Sequence, residues 1–218
     1  MEKIAGLHTQ NFIEITENDN TYYGGDQEWW ESTNPRFHKF GCGVITMCDT
    51  ELYITAKRDI DKNQYMALIE HRFHRPYHFR IARGVPFWKM SLGFWRVCKK
   101  HAIHVFAWWC PTVRKEKLRK RIQEMLVHDL PVPASYFVFL KKNRLPLYRY
   151  NDNLKVFTHS QSIRSHYFTI TGLYYDESSD THYLQLSSWG ECFYAELEAW
   201  IKKRSLFSNI LYYRIKQN

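Results

Sequence analysis

Ser165-His166-Tyr167-Phe168-Thr169-Ile170-Thr171-Gly172 opens a run of aromatic and β-branched residues that continues to Tyr175, and this run decides the fold class. The polar stretch Asp176-Glu177-Ser178-Ser179-Asp180 reads as a turn, and residues 181–188 as the return strand. The hairpin places His166 at a strand start and brings Ser187-Ser188-Trp189-Gly190 beside it. On that strand the imidazole shares a side with Phe168 and Ile170, so it reads either as a satisfied core histidine or as a general base held by a rigid platform.

Away from this hairpin, strands are expected at residues 135–140, 155–158 and 210–215, with a short helix over 194–202. Pro131 and Pro133 mark where helical patterning stops. Before them the periodicity is helical. Val44, Ile45, Cys48, Leu52 and Ala56 form one stripe, and Asp61-Lys62-Asn63-Gln64 resembles a capping box opening a helix to about residue 73. Pro86 suits the first turn of a helix covering Phe87, Trp88, Phe94, Trp95 and Cys98. Thr112 reads as the cap of a basic helix that turns Leu118, Ile122, Met125 and Leu126 inward. Helices followed by an antiparallel sheet predict an α+β chain, one domain over residues 1–218. Its helical lobe would span about residues 1–130, with a basic aromatic helical insert near 77–121, and its β-sheet lobe about residues 131–218, a cleft lying between them.

The 218 residues suffice for such a domain, and the 17% aromatic content opposes disorder. The first twenty residues lack a basic start followed by an apolar stretch, so no secretory signal is expected. Lys89, Arg96, Lys99, Lys100, His101 and His104 interrupt the apolar segment 85–110, which argues against integral membrane association. Five scattered cysteines without a CxxC motif fit a reduced, cytoplasmic protein better than a disulfide framework. Of the net charge of +9, residues 71–121 carry 14 Lys/Arg against the one acid Glu116. That block is either a solvated face or a site for an anionic partner such as nucleic acid, a phosphorylated ligand or an acidic lipid surface.

Phe40-Gly41-Cys42-Gly43-Val44 sets a cysteine between two glycines at a predicted helix start. Glycine permits a tight entry and close approach of substrate to backbone, and the positive helix end favours thiolate, the nucleophilic form. A buried structural cysteine is the plain alternative.

The order Gln27, Gly41-Cys42-Gly43 on a helix start, His166 on a strand, then Ser187-Ser188-Trp189-Gly190 resembles the papain-like cysteine peptidases. It is most similar to the bacterial branch that includes the bacteriocin-leader-processing peptidases. The resemblance implies a papain-like fold and cleavage of a peptide or amide bond through an acyl-enzyme, without a cofactor or metal. Cys42 would be the nucleophile and His166 the base. Gln27 and the Cys42 N–H would hold the oxyanion, while Gly41, Gly43 and Trp189 would border the substrate. Three departures stand out: Gln27 precedes Cys42 by 15 residues, Ser187 occupies the place of the usual Asn or Asp, and the basic segment has no counterpart. Acyl transfer on the same fold, or a non-catalytic binding module using the basic face, are the rival readings.

Other residues read more plainly. His71, His74 and His78, and Cys98, His101 and His104 with Cys110 nearby, have helical spacing in a basic context that disfavours a cation. His182 is a lesser rival base at a turn end, and His128 and His159 have no supporting context. Cys48 is expected in the core and Cys192 near the cleft; Trp29, Trp30 and Trp189 are either packing or a substrate wall.

Overall fold

A computed structural model describes residues 1–9, 11–74, 84–111, 114–138, 143–203 and 207–215, the side chains of 73 and 74 excepted. His78, Thr112, the His74 side chain, residues 77–83 of the expected insert and 139–140 of the expected strand lie outside the described residues.

The chain is α+β. Its main sheet is antiparallel and has the strand order β5-β12-β6-β9-β10-β11-β7-β8, with β1 also paired to β9. These strands are β1 (Glu2–Gly6), β5 (Val105–Pro111), β6 (Val132–Phe137), β7 (Leu145–Asn151), β8 (Val156–Ile163), β9 (Ser165–Asp176), β10 (Thr181–Ser188), β11 (Glu191–Glu196) and β12 (Asn209–Ile215). A small second sheet joins β2 (Glu14–Glu17) to β3 (Asn20–Tyr23) and to β4 (Asp59–Asp61). The helices are α1 (Pro35–Phe40), α2 (Cys42–Ile54), α3 (Lys62–His74), α4 (Phe87–Lys100), α5 (Lys115–Val127) and α6 (Leu197–Lys203).

The β9–β10 hairpin follows its sequence pattern. Asp176 ties the turn by accepting from the Ser178 and Ser179 hydroxyls at 2.9 and 2.8 Å. Consecutive residues of β9 face opposite ways. The ring of Tyr167 therefore meets Gly43 of α2, while Phe168 meets Trp200 of α6 at 5.6 Å. The sheet is thus covered by helices on both faces.

α2 is the buried hub. Every residue from Gly43 to Tyr53 is buried, so it is enclosed all round rather than amphipathic, and its Asp49 and Glu51 must find partners inside the protein. Asp61 caps α3, accepting from the Asn63 and Gln64 N–H groups at 2.8 and 3.3 Å. Leu118, Ile122, Met125 and Leu126 of α5 point inward as expected, and Cys48 is core.

Several expectations are corrected. The N-terminal half is not a purely helical lobe, since it supplies β1–β5. The described residues of the expected helical insert hold α4, then β5, which pairs with β12 over its whole length, and the start of α5. β6 begins at Val132, earlier than the prolines suggest. Pro133 is accommodated because β12 pairs only Ala134 and Ser135, leaving one edge at Pro133 without a partner that needs its missing N–H. β7 and β11 were not foreseen, and α6 starts after β11.

Candidate active site

Asn34 caps α1 by accepting from the Phe37 N–H at 3.1 Å, and α1 runs into α2 through Gly41. A Cβ on Gly41 would lie 2.6 Å from the Phe37 ring and from the Phe37 carbonyl. On Gly43 it would lie 2.9 Å from Met90 Sδ and 3.2 Å from the Tyr167 ring. The two glycines are therefore required by packing, which sets Cys42 at the first turn of α2 close against β9. Neither lines the cavity described below, contrary to the expected substrate contact.

The Cys42 sulfur is half-buried, and Cys42 and Tyr167 line the same cavity. Tyr167 follows His166, so the thiol reaches the segment that carries the imidazole. His166 Nε2 lies 2.6 Å from Ser188 Oγ, and its ring stacks on Trp189 at 4.0 Å with an interplanar angle of 10°. Nε2 is thus the ring nitrogen engaged by the serine.

The imidazole meets Ser188, not Ser187, the residue expected in the place of the usual Asn or Asp. Ser187 Oγ donates to the Tyr23 carbonyl at 2.9 Å. Neighbours on a strand point to opposite sides, so only one of the two hydroxyls can meet the imidazole. Trp189 and Gly190 form the tight turn between β10 and β11, with φ of 49° and 69°. A bulky residue at positive φ costs about 1–3 kcal/mol and must be held in place. Here Gly190 accepts from the Tyr23 N–H at 2.7 Å and donates to the Gly25 carbonyl at 3.2 Å. The turn that covers His166 is thereby tied to the segment leading into Gln27.

Gln27 begins a 3₁₀ turn, Gln27–Trp30, which together with α1 folds the intervening residues back toward Cys42. Gln27, Cys42, Ser187, His166, Ser188 and Trp189 line one narrow cavity of about 10 Å³, room for on the order of one water. Gln27 Oε1 is buried without a partner among the described residues.

Asp49 also lines this cavity and was missed. It accepts from the Tyr65 hydroxyl at 2.6 Å and the Gly25 N–H at 3.1 Å. Its signal in the sequence was helical spacing: Thr46 and Asp49 follow Cys42 at i+4 and i+7, on one face of α2. A Cβ on Gly24, whose φ is +80°, would lie 2.4 Å from Ser187 Oγ and 2.8 Å from Asp49 Oδ2, so only glycine fits there.

Burial dominates the electrostatics. It raises the Cys42 thiol above its ordinary range although three N–H groups pull the other way, and it pushes His166 down to about 3. Taken singly, each shift favours the neutral form of its group, against the thiolate that the helix end favours. Burial also raises Asp49 to about 7 against its two donors.

These shifts act oppositely on stability. The His166 contribution is complete above the unfolded value near 6.5 and is lost as pH falls through about 3. The Asp49 contribution is complete below the unfolded value near 3.9 and is lost as pH rises through about 7. Acidification from about pH 7.5 to about 4.5 is therefore expected to cost wild type on the order of 2–3 kcal/mol more than His166→Gln, in which Asp49 still titrates. Urea melts at the two pH values measure this, and parallel losses in both proteins would contradict it.

Beside the cavity, Val85, Phe87, Phe137, His166, Tyr167 and Phe207 line an apolar pocket of about 420 Å³. The remaining candidates lie elsewhere. His182 Nδ1 faces Glu198 at 3.1 Å, and His159 Nε2 meets Ser162 at 3.2 Å. His101 Nε2 faces Glu51 at 3.4 Å, and His71 Nδ1 meets Arg72 at 3.1 Å. No three metal-binding side chains converge among the described residues. Trp30 is fully buried against Phe37, Trp29 packs between Tyr22 and Tyr65, and only Trp189 of the three borders the cavity. Cys192 accepts from Gln185 Nε2 at 3.3 Å and stays off the cavity. No helix of the described residues is long and apolar enough to cross a membrane. No protein-family model and no curated protein matches this chain.

Proposed function

We propose that the protein is a thiol-dependent peptidase or amidase with Cys42 as nucleophile and His166 as its base. The observation that carries this reading is the single cavity bordered by Cys42, Gln27, His166, Ser188 and Trp189. With Nε2–H donated to Ser188, Nδ1 takes the proton from Sγ as sulfur attacks the carbonyl carbon of the substrate. The Gln27 amide and the Cys42 N–H hold the resulting oxyanion. The C–N bond then breaks, the imidazolium protonates the leaving amine, and a thioester remains on Cys42. His166 next deprotonates a water that attacks the thioester, and the acid product leaves as the thiol is restored. The apolar pocket suits a substrate with a large apolar side chain next to the cleaved bond.

Ser188 is neutral, so it orients the ring without stabilising its charge. Ser188→Ala is expected to lower hydrolysis of a peptide mixture about tenfold, less than loss of a charged orienter would. Ser187→Ala, which removes only the tether to Tyr23, is expected to cost stability and leave the hydrolysis rate of the folded protein within about twofold. Product analysis by mass spectrometry checks both, and the opposite ranking would return the orienting role to Ser187.

A further inference from the structure

Helix α4 presents two unlike faces. Met90, Gly93, Phe94, Val97 and Cys98 are buried, at the i, i+3, i+4, i+7, i+8 spacing of a helix packed on a core. Trp88, Leu92 and Trp95 follow one another at i, i+4 and i+7, and at about 100° per residue their stripe lies opposite the buried one. These three side chains are 55%, 43% and 49% exposed. Turning two indoles and a leucine to the outer centre of a helix leaves apolar surface with no partner among the described residues.

The setting of the stripe is wholly basic. Lys99 continues the stripe, and Lys89, Arg96 and Lys100 run along its flank. Lys89 Nζ lies 5.5 Å from the Trp88 ring and Lys99 Nζ lies 5.4 Å from the Trp95 ring. Residues 84–111 contain no Asp or Glu. A second copy of this helix would meet like charge, so the stripe is not suited to self-pairing. Duplex nucleic acid would satisfy the cations but offers no apolar medium to Leu92. A layer of anionic headgroups over acyl chains satisfies both, because indoles settle at the membrane interface while Lys and Arg reach the phosphates.

We propose that α4 is a membrane-surface docking helix that lies flat on an anionic bilayer through Trp88, Leu92 and Trp95. The helix also borders the candidate active site. Phe87, its first residue, lines the apolar pocket beside His166, and the Tyr167 hydroxyl donates to the Val85 carbonyl at 3.2 Å. Docking would set the pocket next to the lipid surface, so substrates would be peptides held at that surface. The docking itself does not depend on Cys42 chemistry.

The test is flotation of the full chain with vesicles of pure phosphatidylcholine, or with about one-third phosphatidylglycerol. Wild type is expected to float with the anionic vesicles only, and added salt to weaken the association. Trp88→Ser/Leu92→Ser/Trp95→Ser and, separately, Lys89→Gln/Arg96→Gln/Lys99→Gln are each expected to reduce it about tenfold or more. All the substituted residues are exposed except the half-buried Lys89, and a thermal melt confirms the fold of both variants. No association with anionic vesicles would overturn the proposal, as would undiminished binding by the apolar variant. A short DNA duplex that wild type and the apolar variant bind as tightly as wild type binds vesicles, and that the cation-depleted variant does not bind, would assign the basic face to nucleic acid instead.

Discussion

Cys42→Ala and His166→Ala are each expected to reduce amide hydrolysis by about three orders of magnitude or more, and the double variant to be no worse than either single one. The expectation follows from the proposed transfer of one proton between the two groups. Without the imidazole, a thiol raised by burial supplies little thiolate at neutral pH. Without the sulfur, the imidazole has nothing to activate. Stability should respond differently: Cys42→Ala removes a small side chain at the helix start, whereas His166→Ala leaves a hole under Trp189 and frees Ser188. Digestion of a peptide mixture, with folding verified by circular dichroism, separates the two effects. Losses that add in the double variant would mean independent roles.

Arg72→Met is expected to cost about 3–5 kcal/mol of folding stability. Arg72 Nε and the second guanidinium nitrogen reach Glu51 at 2.9 and 2.5 Å, and both side chains are buried. His101 Nε2 approaches the same carboxylate at 3.4 Å. The cluster joins α2, α3 and the end of α4, three elements that together hold Cys42 in place. Removing the guanidinium leaves a buried carboxylate with too little compensation, which is the costly direction. Replacing both partners, Glu51→Leu/Arg72→Met, leaves no stranded charge and is expected to recover most of the loss. Urea melts of Arg72→Met, Glu51→Leu and the double variant measure the cycle; an Arg72→Met loss below about 1 kcal/mol would show that the pair is weakly coupled to folding.

The sequence displayed this fold unevenly, for local reasons. The β9–β10 hairpin was legible because β-branched and aromatic runs flank an acidic serine turn. The stops of α2, α4 and α5 were not, because the residues that end them in the left-handed conformation are Ala56, Ala102 and Asp129 rather than glycine. Each sits just before an N–H that reaches back five residues, from Lys57 to Leu52, Ile103 to Cys98 and Leu130 to Met125. With no glycine to mark the end of α4, the apolar run of β5 reads as more helix. β7 and β11 are short and carry Pro, Arg and Glu, which hides their alternation.

At the site, Cys42 and His166 stood out because glycines and a strand start surround them. Choosing between adjacent serines needed the pleat of β10, which sequence order does not display. Asp49 was hidden by its helix: a lone carboxylate in an apolar run looks like an exposed position until its partners, Tyr65 and the Gly25 N–H, come from other elements. The sequence marked α4 as an aromatic helix without showing which side is buried; the helix has more apolar residues than one buried face accommodates, and the surplus faces outward.

The most direct test is the rate at which iodoacetamide modifies each cysteine, mapped peptide by peptide across pH in wild type and in His166→Ala. A working pair predicts that Cys42 outpaces the buried Cys48, Cys98 and Cys110 at neutral pH and slows about tenfold when the imidazole is removed. Equal Cys42 rates in the two proteins would show that the sulfur and the ring share a cavity without sharing a proton.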